Sequence, residues 1–341
     1  MTTLTNANRE LFRRSADECF SSLDALEQSV QQRRKNSLER WQPPQLLTPM
    51  PYDGRLDLAV GGDGDYAMND WSFSQLCRLA GVSRDTINRL SPETASQAFR
   101  ETLPSAEKPL QLLTTENTVR SIHGVAYTRL WDSELVATVR EYATDFQPPQ
   151  NAFNDATGLY AGEQDMFLFM IDPVGWIEIS GEAFAPGFFA WNSEVGRRSL
   201  GLSTFWFQKI CQNHIVWDAV DVVEFTRKHT ASVRDSLNTV RTSIESLVKT
   251  RDARRDGFAR VLRNAVTTKL GDNAEDVEKA LTKHGLGKTL IREALKLAQD
   301  RGAFTIWTLV DALTRLSSQL VYAGDRLEAD QKAASLLALA V

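Results

Sequence analysis

The sequence has 341 residues, 42% of them hydrophobic and 24% charged, which is typical of globular proteins with a substantial core. It has no apolar run near the roughly 20 residues that a membrane helix needs and no signal-peptide pattern, which argues against a membrane protein. The net charge of −5 does not by itself indicate a nucleic-acid-binding protein, and the three scattered cysteines argue against a disulfide framework. These features predict a location in a reducing cytoplasm.

Residues 1–42 have the apolar spacing of one long helix. Its stripe consists of Phe12, Ala16, Cys19, Leu23, Leu26 and Val30, at alternating steps of four and three residues. We therefore predict a helix over about residues 7–40, ended by Pro43 and Pro44. The proline-rich residues 43–51 are expected to form a linker.

Residues 52–225 are predicted to form an α+β core domain. Aromatic and β-branched runs such as DMFLFMID and GFFAWN alternate with Gly, Pro and Asp turns, which favours a central, mostly antiparallel sheet. The segment DSELVATVREYATDF is predicted as a helical insertion, with Asp132 as its N-cap.

Within this domain, FSQLCRLAGVSRDTINRL (residues 73–90) has the pattern of a helix-turn-helix motif. Gly81 would make the turn and Ser83 would cap a second helix that carries Arg84 and Arg89. Helical pairs of this kind are also a common packing unit, so duplex DNA binding here is a hypothesis beside a structural role.

Two sets of residues raise the alternative of catalysis. Glu163, Asp165 and Asp172 could bind a divalent metal for phosphodiester hydrolysis, although carboxylates at strand ends usually only contact water. Cys211 and His214 could meet on one helix face, but a buried cysteine beside a histidine is the more ordinary interpretation. We predict no metal and no cofactor.

The stretch WNSEVGRRSLGLSTFWFQKICQNHIVW (residues 191–217) is predicted as strand, polar turn, strand and a short closure. Its turn would expose Arg197 and Arg198, with Lys209 following the second strand. Strand neighbours alternate between faces, so part of the aromatic cluster belongs to a core. The remainder, with Trp206 the main candidate, would form a stacking platform for single-stranded nucleic acid.

Residues 226–341 are predicted to be helical. A heptad-like stripe opens this region, and we expect the two long helices to pack on each other or on a second copy of the chain. The stripe consists of Thr226, Thr230, Val233, Leu237, Val240, Ile244 and Leu247. Further along, KHGLGKT (283–289) lacks the first glycine of a phosphate-binding loop and is better explained as a helix C-cap followed by a new helix.

The charge is unevenly distributed. Residues 227–269 contain 11 Lys and Arg against 4 Asp and Glu, whereas the other residues are acidic overall. Such a segment is either a solvated helix face or a nucleic-acid footprint. Its candidate contact residues are Arg251, Arg254, Arg255, Arg260 and Arg263.

Several motifs together resemble a phage/plasmid-like protein family, domain of unknown function 932. They are YTRLWDSELV, DMFLFMID, NSEVG, SLGL, ICQNHIV and FTIWTLVDALTRLSSQL, and the resemblance covers roughly residues 50–335. His214 stands where that family usually has glycine. The resemblance implies a mobile genetic element, with a role in DNA metabolism or host conflict, and specifies no chemistry.

The sequence therefore favours a non-enzymatic protein of a phage or plasmid that binds nucleic acid, single-stranded DNA above all, in replication or recombination. One alternative is an oligomeric structural protein assembled through its long helices. The other is a metal-dependent nuclease.

Overall fold

The computed structural model describes residues 10–105, 108–149, 158–208, 214–217, 224–299 and 304–341. The fold is α+β, as predicted, but it contains two sheets instead of one central sheet. The helices are α1 (Leu23–Lys35), α2 (Asp70–Ala80), α3 (Arg84–Ile87), α4 (Pro92–Thr102), α5 (Asp132–Tyr142), α6 (Ser236–Lys249), α7 (Arg251–Thr267), α8 (Ala274–Lys283), α9 (Lys288–Gln299), α10 (Ile306–Ser317) and α11 (Ala323–Ala334). Short 3-10 helices cover Pro44–Leu46 and Ser335–Ala340.

The strands form a six-stranded and an eight-stranded sheet. The six-stranded sheet has the order β2-β6-β7-β5-β4-β3; the eight-stranded sheet has the order β1-β8-β9-β11-β12-β13, with β10 paired to β11 and β14 to β12. The strands are β1 (Glu18–Cys19), β2 (Ser37–Gln42), β3 (Leu47–Tyr52), β4 (Arg55–Val60), β5 (Gly64–Met68), β6 (Leu110–Thr115), β7 (Thr118–His123), β8 (Leu159–Ala161), β9 (Met166–Ile171), β10 (Ile177–Ile179), β11 (Glu182–Asn192), β12 (Leu200–Gln208), β13 (His214–Trp217) and β14 (Glu224–Arg227). Among these described pairs, β5 with β7 is parallel and the rest are antiparallel, which confirms the mostly antiparallel prediction.

Both faces of the eight-stranded sheet are covered, which explains why β9 reads MFLFMI without a polar residue. Met166 and Leu168 belong to one core cluster, shared with α1, α5 and α6. Their neighbours Phe167 and Phe169 belong to another, which includes Leu327 of α11. The alternation along the strand therefore decides which helix each residue contacts.

The predicted long N-terminal helix is wrong in extent. It begins only at Leu23, where the Ser22 hydroxyl accepts a hydrogen bond from the Ala25 amide at 3.1 Å, and it ends at Lys35. Phe12 lies outside the helix and packs against Phe73, with 4.5 Å between ring centroids. The helical spacing of apolar residues continues into the segment before α1. Phe12 in that segment is not helical and packs in the core cluster beneath the six-stranded sheet.

Residues 43–51 are a 3-10 turn and most of β3, whereas we predicted a linker. Proline is tolerated there because β3 is an edge strand of the six-stranded sheet. The preceding segment supplies β1 to one sheet and β2 to the other, so it contributes to both halves of the fold.

The C-terminal region is helical, as predicted, but its first helix starts at Ser236 because residues 224–227 form β14. Val240 and Ile244 of α6 share a core cluster with Leu26 and Val30 of α1. The two stripes are therefore buried in one core of a single chain, where α1 and α6 both pack on α5, and this accounts for their spacing without a second copy. Gly285, with φ of +80°, ends the turn after α8, as predicted for the C-cap.

Candidate functional site

The turn between β11 and β12, which carries NSEVG, is held tightly by its own hydrogen bonds. The Ser193 hydroxyl donates to the Gln164 carbonyl and accepts from the Arg197 amide at 2.8 Å. Gly196 has φ of +75°, and a Cβ at this position would lie 2.6 Å from the His123 ring. The turn therefore needs glycine both for its backbone conformation and for space.

Glu194 joins the two sheets beneath this turn. It is 1% exposed, and its carboxylate accepts a hydrogen bond from Arg120 of β7. The Arg33 Nε of α1 lies 3.3 Å from the same carboxylate, and the Asp132 amide donates to it at 3.3 Å. Since Arg120 belongs to the six-stranded sheet and Glu194 follows β11, this buried ion pair connects the two halves of the fold.

The two buried carboxyl groups of this cluster have opposite electrostatics. Burial raises the pKa of Asp132, the charge of Glu194 raises it further, and Arg33 opposes both. Burial also acts to raise the pKa of Glu194, but Arg120 and Arg33 outweigh it and hold that pKa below its ordinary value. Glu194 is therefore the ionised member at neutral pH.

The main chain of Glu194 also orients the side chains above it. Its carbonyl accepts a hydrogen bond from the Tyr127 hydroxyl at 2.9 Å and another from the Arg129 guanidinium. Arg129 is 3% exposed and donates through Nε to Glu39 at 2.6 Å. The Tyr127 hydroxyl is therefore held by Glu194, whose carboxylate is buried between the two sheets.

These side chains form the floor of an open cleft of about 670 Å³ between the two sheets. The lining residues come from α2, from the ends of β6 and β7 and the segment after β7, from the NSEVG turn and the residues after it, and from the segment after β14. They are Trp71, Gln75, Arg78, Leu79, Leu110, Ile122, His123, Gly124, Ala126, Tyr127, Gly196, Arg197, Arg198, Ser199, Lys228, His229 and Thr230. No Asp or Glu is among these described lining residues.

The cations at the cleft are exposed and carry uncompensated charge. Arg78, Arg197 and Lys228 are solvent-exposed, and within the described ranges none of the three forms an ion pair with a carboxylate. The guanidinium carbons of Arg78 and Arg197 lie 5.8 and 5.7 Å from the Trp71 ring centroid. A cleft with this lining attracts an anion.

The cleft also presents aromatic and imidazole rings. His123 stacks on Tyr127 with 3.7 Å between centroids, and Tyr127 stacks on His229 at 5.5 Å. The Trp71 Nε1 donates to the Val195 carbonyl at 2.8 Å, which fixes the indole against the turn. Aromatic rings can stack on the bases of a nucleic-acid strand, and cations beside them can bind its phosphates.

Both histidines are neutral at pH 7. Burial lowers the pKa of His123 to about 4 and that of His229 to about 4, with the Arg129 charge adding to each effect. The His123 Nε2 hydrogen is donated to the Val195 carbonyl at 2.8 Å, since a carbonyl only accepts. Neither ring nitrogen of His229 makes a hydrogen bond of normal geometry with a described residue, although backbone groups of Thr128 and Arg198 approach the ring.

Of the predicted site residues, Arg197 and Arg198 both line this cleft, but they differ. Arg197 is exposed beside Trp71. The Arg198 guanidinium points to the other side of the turn, where its Nε lies 2.8 Å from Asp165 and its Nη1 lies 3.1 Å from Glu328. The structure therefore gives Arg198 a structural ion pair and leaves Arg197 available to a ligand.

Trp206 does not form the predicted stacking platform. Its side chain is 0% exposed and stacks on Phe258 of α7, with 4.1 Å between centroids. Strand alternation turned it toward the helical core, while Phe205 and Phe207 face the opposite cluster. Lys209 and Cys211 lie outside the described residues, and His214 is in β13 instead of a helix.

The helix-turn-helix prediction is half right. α2, the Gly81 turn with φ of +68° and the Ser83 cap form as expected. The second helix, α3, has only 4 residues, too few for a recognition helix in a major groove. Arg84 pairs with Asp70 and the Arg89 Nε donates to the Asp85 carbonyl at 3.0 Å, so both contribute to local structure.

The arginines of α7 do not behave as one group. Arg251 pairs with Asp172, Arg254 is 5% exposed, and Arg255 lies 2.9 Å from Asp252. The remaining two are exposed: Arg260 and Arg263. The charge excess of this segment is therefore partly neutralised by neighbouring carboxylates.

The proposed metal ligands are engaged in other contacts. Asp165 is 3% exposed and lies 2.9 Å from Arg14. Asp172 pairs with Arg251, and Glu163 accepts a hydrogen bond from the Ser15 amide at 3.0 Å. Over the described residues, no group of three His, Cys, Asp or Glu is arranged to hold a metal ion.

Sequence reasoning found Arg197 but missed the rest of the cleft. Trp71, His123, Tyr127 and His229 come from three separate segments, and no local motif unites them. The glycine of the NSEVG turn was a usable signal, because it indicated a close neighbour. It did not identify that neighbour.

In the part of the chain that the structure describes, no helix combines the length and the hydropathy needed to cross a membrane. Compared with protein-family models, curated proteins and solved structures, the chain matches none of them.

Proposed function

We propose that this protein binds single-stranded nucleic acid, preferably DNA, in the cleft between its two sheets, without catalysing a reaction. One observation carries the proposal: three exposed cations without ion pairs among the described residues, Arg78, Arg197 and Lys228, surround a recess that is lined by the partly exposed rings of His123 and Tyr127 and has no described carboxylate. Phosphate contacts and base stacking are the two interactions on which single-strand binding depends.

A single strand is favoured over a duplex because of where the rings lie. Trp71, His123 and Tyr127 line a recess, and a base reaches them only when it is free of its pairing partner. The short α3 offers no reading helix for a major groove. Both features support an unpaired strand as the ligand.

The biological setting is part of the same proposal. The resemblance to the phage/plasmid-like family supports a role in replication or recombination of a mobile element in the bacterial cytoplasm. The helical stripes on which the prediction of a homo-oligomer is based are buried within one chain. Size-exclusion chromatography with light scattering tests whether the protein nevertheless forms a homo-oligomer. The alternative is an assembly protein that does not bind nucleic acid. The binding experiment described next distinguishes the two.

The test is fluorescence anisotropy with labelled single- and double-stranded DNA at roughly 50 and 200 mM salt. We expect tighter binding to the single strand and a steep loss of affinity at the higher salt. Arg78→Ala, Arg197→Ala and Lys228→Ala should each weaken binding several-fold and lower the salt slope by about 0.7.

The matched controls are Arg260→Ala and Arg263→Ala, which remove exposed arginines from α7 outside the cleft. They should leave affinity within about twofold of the wild type. Absence of binding by the folded protein would reject the proposal. Loss of binding only in the α7 variants would move the site to that helix.

A further inference from the structure

His229 is the one polar side chain of the cleft whose surroundings, over the described residues, do not satisfy it. It is 7% exposed and lies in the cleft wall, and neither Nδ1 nor Nε2 makes a hydrogen bond of normal geometry with a described residue, although backbone groups of Thr128 and Arg198 approach the ring and act to raise its pKa. Buried polar groups are normally hydrogen-bonded, and an unsatisfied one destabilises the folded state. A bound ligand would remove that cost.

The groups around His229 determine what the ligand offers. Tyr127 covers one ring face, the Arg129 charge acts from the segment after β7, and Lys228 precedes His229 in the chain. The backbones of Thr128 and Arg198 lie beside the ring, and His123 lies beyond Tyr127. All the charged groups among these are cationic, so an anion is the complementary ligand.

We propose that His229 binds a phosphate oxygen of the nucleic-acid ligand and takes up a proton as it does so. This inference rests on the proposed function and adds proton-coupled phosphate recognition to it. In the free protein, burial and Arg129 disfavour the imidazolium. A phosphate beside the ring reverses that balance, because an adjacent anion favours the charged form.

The consequence is a pH-dependent affinity with a definite sign. A group that is neutral in the free protein and protonated in the complex makes binding tighter as pH falls. Each pH unit between the two pKa values changes the affinity up to tenfold. Lowering the pH from about 8 to about 5.5 should therefore strengthen binding roughly tenfold.

The experiment measures anisotropy with a 5′-hydroxyl oligothymidylate of about 12 nucleotides, whose bases do not titrate in this range. Wild type, His229→Gln and His284→Gln are compared at both pH values. His284 is an exposed histidine after α8, so its variant should follow the wild type. His229→Gln should bind at pH 8 but lose the tenfold gain.

A second arm uses the same strand with a 5′-phosphate. A His229-dependent gain seen only there assigns the contact to a terminal phosphate; a gain with both strands assigns it to the backbone. Imidazole NMR of the four histidines, with His229→Gln to assign its signal, should show a higher pKa for His229 in the complex than in the free protein.

Two failures are distinguishable. Binding at pH 8 with the same pH response in wild type and His229→Gln would overturn this inference and leave the proposed function standing. An absence of binding at both pH values would reject the proposed function itself, and the inference with it.

Discussion

At the scale of single residues, two adjacent arginines have different tasks. Arg198 is paired with the buried Asp165, whereas Arg197 is exposed beside Trp71. Removing Arg198 deprives a buried carboxylate of one of its partners, whereas removing Arg197 breaks no ion pair among the described residues. Adjacent positions in a tight turn point to opposite sides, which the sequence pattern RR does not reveal.

Arg198→Ala should therefore lower the free energy of unfolding by about 2 kcal/mol. Arg197→Ala should leave stability within about 0.5 kcal/mol and weaken single-strand binding several-fold. Thermal denaturation and anisotropy on both variants check this. Equal effects of the two substitutions on both measurements would contradict the division of roles.

Asp330 of α11 has a pKa that depends on burial. Burial raises its pKa to about 7, while Arg326 and the Ser317 hydroxyl act in the opposite direction. A carboxyl whose pKa is raised on folding destabilises the native state wherever the unfolded group would be ionised. That cost grows as pH rises from about 4 to about 7.

Asp330→Asn should consequently stabilise the protein more at pH 8 than at pH 5, by about 2 kcal/mol. Asp325→Asn, at an exposed position of the same helix, is the matched control. Chemical denaturation at the two pH values gives the free energies. If both variants respond to pH alike, burial of Asp330 is not the cause.

At the scale of elements, the NSEVG turn positions the cleft through one glycine. A Cβ on Gly196 would meet the rings of both His123 and Tyr127, at 2.6 and 2.8 Å, in addition to the positive φ. Gly285 has a similar φ of +80° but nothing within 4 Å of a Cβ. Comparing substitutions at the two glycines therefore separates the cost of backbone strain from the cost of steric crowding.

Gly285→Ala should cost about 1 kcal/mol from the backbone alone. Gly196→Ala should cost more, by about 1–3 kcal/mol, and should also weaken single-strand binding because the ring stack must shift. Urea denaturation and anisotropy measure the two effects. A Gly196→Ala protein that binds with wild-type affinity would remove the turn from the site.

Elements with a strong local pattern were predictable, and those defined by distant partners were not. The apolar run of β9 and the glycine cap after α8 could be recognised from sequence alone. The stripe over residues 7–40 could not reveal that Ser22 starts α1, because Phe12 keeps the helical spacing while it packs against Phe73. Hydrophobic spacing indicates that a residue is buried, but it does not identify the element against which that residue packs.

At the scale of the whole molecule, Glu194 couples the sheets. The fold class could be predicted from composition and strand spacing, but the partition into two sheets could not, since β2 and β6 are separated by more than 60 residues of intervening chain. The cleft exists only because of this partition. Its lining residues meet through long-range packing that no short motif encodes.

Glu194→Gln should destabilise the protein by about 3–5 kcal/mol, because it leaves the buried Arg120 without its counter-charge. Glu328→Gln, whose side chain is 61% exposed in its pair with Arg198, should cost less than about 1 kcal/mol. Calorimetry of both variants provides the comparison. A mild Glu194 variant would mean that the sheets are joined mainly by their apolar contacts.

The buried anchoring of the NSEVG turn has a kinetic consequence. Ser193 and Glu194 hold the turn through buried hydrogen bonds, so the proposed binding cleft is already formed in the free protein. A strand should then associate in one bimolecular step, accelerated by the exposed cations and slowed by salt. Differences in affinity between strands would appear in how long each one stays bound.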